Sequence, residues 1–305
     1  MAKIVIIGNS AAGFSCCDTL VKNSQGHEIT VISEEGLIAY NRNLLLGYLA
    51  ASVAEKDLFL CGDSYYNDNK VKFLKNSKVV LLEPKRQRLT FKDNTKINYD
   101  YLVVASGSKP GLLGIPGNTK DGVFIFYTLE DARKIKQRMM IADTVGIIGE
   151  AMVCMELAQA PVLKDKEIKI ISKGKPDSFV PSEKQEWLDG PHTAEIIGEG
   201  VELRAIKLDN GKVLGVSLAI FVLPQSAATE FLKGNDIQSE NGYILVDEKM
   251  ETNIENILAC GSACRKNNTQ GLVKTWDDAV KDGILAATNL IQTCERGNNL
   301  CQQTS

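Results

Sequence analysis

The sequence predicts an α/β fold built on two strand–helix–strand units. Three observations carry the prediction: an apolar strand, glycine turn and helix open the chain, the same order returns near residue 144, and a breaker-rich loop lies between them. In the first unit Lys3–Gly8 is a short apolar strand, Ser10–Lys22 has helical composition, and Glu28–Ile32 is a second strand followed by Glu34 and Glu35. Tyr99–Ala105 is a further buried strand ending in Ser106-Gly107. Val79–Glu83, Arg88–Phe91 and Lys96–Ile97 read as a small antiparallel insert between them.

Lys109-Pro110, Gly114, Pro116 and Gly117 mark a crossing into a second domain. Thr128–Gln137 is a helix with acids early and bases late, as the helix dipole favours. Thr144–Ile148, Glu150–Val162 and Glu167–Ile171 form the second strand–helix–strand unit. Leu203–Leu208 and Val213–Val222 are strands around the Asn210-Gly211 turn. Ile257–Gly261 is a late apolar strand. Trp276–Thr293 is a long helix with apolar Ala279, Val280, Ile284 and Ala287, and a polar tail over 297–305 is expected to be mobile.

Composition narrows the function classes. The 305 residues are 44% hydrophobic with a net charge of −3, which suits two packed domains and gives no support to nucleic-acid binding. No stretch approaches the ~20 apolar residues of a membrane span, and the start of the chain lacks the long apolar region of a signal peptide, so a cytoplasmic location is expected. The eight cysteines form no C-x-x-C pair, and His27 and His192 stand apart from them. Reduced, mostly buried thiols are expected, and no metal site.

Gly8-Asn9-Ser10-Ala11-Ala12-Gly13 follows a strand and opens a helix, the setting of a dinucleotide-binding turn. Ser10 stands where a middle glycine lets the backbone approach a diphosphate. The helix start offers unpaired N–H groups to that anion, and Glu34 or Glu35 can accept bonds from ribose hydroxyls.

These residues resemble the FAD site of the pyridine nucleotide-disulfide oxidoreductases. Tyr101-Leu-Val-Val-Ala-Ser-Gly-Ser-Lys-Pro110 resembles that family's second FAD segment, and Asn256-Ile-Leu-Ala-Cys-Gly-Ser-Ala263 its late one. Tyr40-Asn41-Arg42-Asn43-Leu44-Leu45 resembles the arginine-bearing loop of the branch with rubredoxin reductases, apoptosis-inducing factor and the nitrite-reductase flavin domain. The resemblance runs from about residue 3 to 293. It implies two Rossmann-like three-layer domains, the second inserted in the first: 1–114 with 240–296 binding FAD, and 115–239 in the place of the NAD(P) domain. The cofactor site it implies comprises Gly8, Ser10, Ala11, Ala12, Gly13, Glu34, Glu35, Arg42, Val80, Ala105, Ser106, Gly107, Gly261 and Ser262. Glu156 falls where relatives place a glutamate near the flavin.

The sequence departs from the family in places that bear on function. Ser262 replaces an aspartate in the late FAD segment, and Gly47 stands where one branch has a lysine near the flavin. Gly149-Glu150-Ala151-Met152-Val153-Cys154 keeps only the first glycine of the second dinucleotide motif. Ala151 adds a methyl facing the phosphate position, Cys154 adds bulk at the helix–strand contact, and the Glu150 charge opposes a diphosphate. Ser172, Lys173 and Lys175 follow Ile171 with no ribose-binding acid, the stretch 174–200 is shorter than in the family and is expected to lack a helix and a strand, and Leu223-Pro-Gln-Ser-Ala-Ala228 replaces a glycine-rich segment. The NAD(P)H site is therefore expected to be lost. Nothing resembles the family's C-terminal dimerisation domain or its redox-active cysteine pair, so any oligomer should form through another surface and disulfide reduction is disfavoured. The expected function is an FAD-dependent oxidoreductase or electron-transfer subunit exchanging electrons with a protein partner, an iron–sulfur protein among the candidates. Two alternatives stand beside it: an NAD(P)H-dependent flavin reductase and a scaffold that has lost its chemistry.

Overall fold

The computed structural model describes residues 1–23, 26–267 and 274–303, with side chains as far as residue 295. The Cys301 side chain and the last tail residues, 304–305, lie outside this description. The chain forms two compact units. The first comprises Met1–Asn41, Phe59–Lys109 and Ser226–Ser305, and the second Arg42–Leu58 and Pro110–Gln225.

In the first unit β1 (Lys3–Ile7), α1 (Ala11–Asn23) and β2 (Glu28–Ile32) make the opening strand–helix–strand, as the apolar spacing predicts. β3 (Lys72–Leu74) adds a strand beside β2. The insert is a three-stranded antiparallel sheet of β4 (Val79–Glu83), β5 (Arg88–Phe91) and β6 (Lys96–Asn98). β7 (Tyr101–Val104) returns to the parallel sheet beside β1.

In the second unit β8 (Val123–Ile125) leads to α2 (Leu129–Ile141), whose start carries a reciprocal cap. The Thr128 hydroxyl accepts from the Asp131 N–H at 3.1 Å, and the Asp131 carboxylate accepts from the Thr128 N–H at 2.9 Å. β9 (Thr144–Gly149), α3 (Ala151–Ala158) and β10 (Glu167–Ser172) follow, then β11 (Gln185–Asp189) and β12 (Leu218–Val222). All five strands are parallel in the order β11-β10-β9-β12-β8.

The first unit closes with β13 (Ile257–Ala259) beside β7 and α4 (Trp276–Gln303) packed on α1, completing a parallel sheet of order β13-β7-β1-β2-β3. α1 packs against both that sheet and α4, and its neighbouring thiols Cys16 and Cys17 are both fully buried, although adjacent helical residues face different ways. Burial pushes both thiols up, Cys17 to about 12, so they act as small apolar groups rather than nucleophiles. The first parallel sheet and the antiparallel insert share one apolar core, and the second unit has another.

Several boundaries differ from those read in the sequence. Arg42–Leu58 belongs to the second unit, where Arg133 donates to Glu55 at 2.7 Å and the Lys136 ammonium lies 4.0 Å from the Tyr48 ring centroid. The return to the first unit comes at Ser226 rather than 240. Phe231 and Ile237 are in its core, and Lys109 pairs with Glu230 at 2.8 Å. α3 stops at Ala158, and Pro161, which has no N–H to give, opens a separate 3-10 turn. The stretch 174–200 contains β11 and the strand Thr193–Glu199, and no helix. The expected strand Val213–Val222 divides in two, because Val213–Gly215 pairs antiparallel with Glu202–Leu208 while β12 joins the parallel sheet. α4 runs through the expected tail to Gln303, where no proline interrupts it.

The tightest joint of the first unit is at the glycine turn. A Cβ on Gly13 would lie 2.1 Å from the Gly8 carbonyl oxygen, which is backbone and cannot swing aside. Gly13→Ala should therefore destabilise the protein by about 1–3 kcal/mol through a forced backbone shift. A urea denaturation midpoint equal to that of the unchanged protein would contradict this.

Candidate functional site

The carboxyl ends of β1, β2, β7 and β13 lie along one edge of the first parallel sheet, the edge at which open α/β sheets take ligands. Gly8, just beyond β1, has φ of +110°, and a Cβ there would lie 2.0 Å from the Ala105 carbonyl oxygen beyond β7. The Gly8 N–H donates to Ile32 O at 2.8 Å and the Ala105 N–H to Ile7 O at 2.8 Å, so three strand ends converge on this glycine. The Phe14 N–H bonds to Ser10 O at 2.8 Å, which starts the helix. The N–H groups of Ala11, Ala12 and Gly13 then have no carbonyl of their own helix to bind, and they form the positive end of α1.

The surroundings of this turn fit an anionic dinucleotide. Asn9 Nδ2 and Ser106 Oγ are buried without a hydrogen-bond partner, an arrangement that costs about 1–3 kcal/mol per group until a polar ligand or an ordered water relieves it. Gly107, at φ of +70°, accepts from the Ala228 N–H at 2.9 Å. Gly261 and Ser262 follow β13 in a 3-10 turn, and the Cys260 N–H donates to Val104 O at 3.0 Å. The Lys274 ammonium holds that turn from beneath, donating to Gly261 O at 3.0 Å, to the Asp282 carboxylate at 2.5 Å and to Cys264 Sγ at 3.4 Å. The sequence reading missed this support because Lys274 and Asp282 carry no motif.

Thirteen of the fourteen cofactor candidates lie in the first unit, Arg42 being the exception. Val80 is exposed at a bulge where β4 slips against β5, so it lies outside their paired ladder. Glu34 is an exposed partner of Lys78 at 3.0 Å, whereas Glu35 accepts the Tyr40 hydroxyl at 2.7 Å. The Arg42 guanidinium lies 4.4 Å from the Tyr127 ring centroid inside the second unit. Glu156 is exposed on α3, on the face away from buried Cys154 and Ala158.

The second unit has the corresponding turn and fills it with its own side chains. Gly149 has φ of +137°, and a Cβ there would lie 2.0 Å from Val222 O. Glu150 caps α3: its carboxylate accepts from the Met152 N–H at 3.2 Å and from the Val153 N–H at 3.0 Å. Those are the amides that a diphosphate takes in a dinucleotide-binding turn. Cys154, at the position of the motif's last glycine, is fully buried, and burial, with the Glu150 charge adding to it, pushes its thiol up to about 12. Ser172, at the end of β10, donates to Gly149 O at 2.6 Å. Asp189 stands beside it on β11 and accepts from the Gly174 N–H at 2.8 Å, a strand-end carboxylate absent from the sequence reading because β11 was.

Among the described residues no group of His, Cys, Asp and Glu could hold a metal ion, and no helix is long and apolar enough to cross a membrane. The role of Glu150 is measurable. Glu150→Ala should lower the unfolding free energy of the second unit by about 1 kcal/mol, the usual cost of a lost helix cap. Urea denaturation followed by Trp187 fluorescence checks this, and an unshifted midpoint would show that the cap carries no stability.

Comparison with known proteins agrees with this geometry. The family described as pyridine nucleotide-disulphide oxidoreductase matches residues 2–283. The NADH-rubredoxin oxidoreductase of Clostridium acetobutylicum is 29% identical over 300 residues, covering 94% of this chain and 74% of that protein. Apoptosis-inducing factor 3 of Homo sapiens is 23% identical over 309 residues, covering 95% of this chain and 51% of its own length. Among solved structures, the reductase fold in the covalent putidaredoxin reductase–putidaredoxin complex aligns with a TM-score of 0.86 at 19% identity, over 95% of this chain and 75% of that one. With a match over nearly the whole chain and a dinucleotide turn at the edge of a parallel sheet, the chain belongs to the pyridine nucleotide-disulphide oxidoreductase family, and with it to the FAD-dependent oxidoreductases.

Proposed function

We propose that the chain holds FAD at the Gly8–Gly13 turn and passes electrons between that flavin and a protein redox partner, without taking nicotinamide nucleotides itself. One observation carries the reading: the Glu150 carboxylate occupies the Met152 and Val153 amides at the start of α3. A dinucleotide entering there must displace a bidentate cap that is already part of the fold, and must do so against its negative charge. Ala151, Cys154 and Ser172 remove the remaining features of such a site. Losing about 4 kcal/mol in total weakens binding roughly a thousandfold.

Bound FAD supplies reversible one- and two-electron chemistry. In this reading Ser10 to Gly13 and the start of α1 hold its diphosphate. Val80 meets the adenosine end at the β4 bulge, and Ala105–Gly107 with Gly261 and Ser262 line the rest. The names of relatives support a small protein partner, since they include rubredoxin and putidaredoxin. A second reading, direct reduction by NADH, has the support of the NADH in the name of the clostridial relative.

Two measurements separate the readings. Mass analysis of the heat-released cofactor should give FAD, and FMN or no flavin would refute the site assignment. Rapid anaerobic mixing of the oxidised flavoprotein with NADH or NADPH should leave the flavin band unbleached at micromolar nicotinamide. The dithionite-reduced protein should in contrast be reoxidised by a rubredoxin- or ferredoxin-class acceptor. Fast, saturable bleaching by either nicotinamide would restore the ordinary reductase reading.

A further inference from the structure

Ser262 stands where the family's late segment has an aspartate, and the turn that carries it takes its support from elsewhere in the chain. Gly261 opens the turn at φ of +68°, and a Cβ there would lie 2.8 Å from Ala12 Cβ on α1. The Gly261 carbonyl accepts from the Cys264 N–H, closing the turn, and also from the Lys274 ammonium at 3.0 Å. In a trans peptide the carbonyl oxygen and the N–H of the next residue point in opposite directions. The Ser262 N–H is therefore directed away from Lys274, and at the start of a 3-10 turn it has no carbonyl of that turn to bind.

Local physics disfavours a lysine at 274. It directly precedes the cap of α4, where the Thr275 hydroxyl accepts from the Asp278 N–H at 3.2 Å and the Asp278 carboxylate from the Thr275 N–H at 3.0 Å. A cation at a helix start opposes the dipole, and the Lys274 side chain is only 19% exposed. Asp282, two turns into α4, accepts from it at 2.5 Å, and Cys264 Sγ lies at 3.4 Å, so all three donors of the ammonium have acceptors. A buried ion pair stabilises a fold no better than apolar side chains of similar volume. What apolar side chains do not supply is a donor to Gly261 O. A cationic donor there also polarises the peptide and strengthens the N–H at its other end.

Strand order decides which part of a ligand meets this peptide. In the order β13-β7-β1-β2-β3 the Gly8–Gly13 turn follows β1, and β13 lies two strands away, about 10 Å, on the side opposite β2. A dinucleotide with its diphosphate at β1 and its adenosine toward β2 carries its other half over β7 and β13.

We propose that the Lys274–Asp282 pair positions and polarises the Gly261–Ser262 peptide as a donor to the flavin half of FAD. The inference rests on the FAD reading above. Lys274 and Asp282 are positioning residues: they act through the turn and touch no ligand.

The test uses apoprotein of the full chain, unchanged and as Lys274→Met, Asp282→Asn, the double variant Lys274→Met/Asp282→Asn and the control Lys281→Met, titrated with FAD and with ADP. Lys274→Met should weaken FAD about tenfold, the effect of one lost hydrogen bond of ordinary strength, and ADP less than about twofold. Lys274→Met also leaves the Asp282 carboxylate buried without its partner, so the urea midpoint should fall. The double variant removes that charge and should recover most of the midpoint. Its FAD affinity should nevertheless stay as weak as that of Lys274→Met, because Asp282 acts only through Lys274. A role in stability alone would let affinity and midpoint recover together. Asp282→Asn keeps the lysine on Gly261 and should lose less FAD affinity than Lys274→Met. Lys281, exposed beside Asp282, should change neither ligand. Where Lys274→Met fails to fold, the double variant carries the comparison. Recovery of FAD affinity in the double variant, equal losses for FAD and ADP, or unchanged FAD affinity without Lys274 would each overturn the proposal. Unchanged protein that takes up no FAD would overturn the FAD reading with it, whereas FAD uptake indifferent to Lys274 overturns this proposal alone.

Discussion

The first unit depends on one close approach of backbone to backbone. The Gly8 α-carbon stands where a side chain would run into the Ala105 carbonyl, and Gly13 stands where one would run into Gly8. These contacts bring β1, β7 and the start of α1 together so tightly that the helix amides open directly onto the end of the sheet. The thiols of α1, the apolar face of α4 and the Gly261 turn are all packed relative to that joint. The geometry that makes the fold dense is also what leaves a row of unpaired N–H groups facing outward.

The second unit starts from the same plan and resolves it differently. Gly149 makes the same kind of approach to Val222, so the turn itself is retained. The groups a ligand would satisfy are satisfied from within: the α3 amides by Glu150, the glycine carbonyl by Ser172, and the helix–strand contact by the buried Cys154. Each replacement closes an open polar valence or a space at this turn. A helix start needs an anion or a cap, and a capping carboxylate serves as well as a phosphate.

Polar side chains away from the motifs set the finer geometry. The Lys274 ammonium, shared among Gly261 O, Asp282 and Cys264, fixes the turn after β13. Arg133 and Lys136 on α2 hold Glu55 and Tyr48, which explains why Arg42–Leu58 groups with the second unit despite its place in the sequence of the first. Neither arrangement follows a spacing rule, because each joins residues brought close only by packing.

The sequence by itself determined the α/β class, the strand–helix–strand repeat, the antiparallel insert and the glycine turn, because these rest on local apolar periodicity and on steric requirements of single residues. It placed β1, β2, β4 and β5 closely, since a short apolar run bounded by breakers has few other solutions. It did not find β3, β8 or β11: β8 is an apolar run of only three residues, β3 and β11 are of mixed composition, and each pairs with a neighbouring parallel strand that the local sequence does not reveal. It extended α3 through Pro161 because an apolar stretch cannot by itself distinguish a helix from a helix followed by a turn. Tertiary structure alone assigned different surroundings to Glu34 and Glu35, and it turned the Glu150 carboxylate onto the helix amides. Adjacent residues share a local environment in sequence, and only the side chains that packing brings from elsewhere, Lys78 to one glutamate and Tyr40 to the other, give them different surroundings.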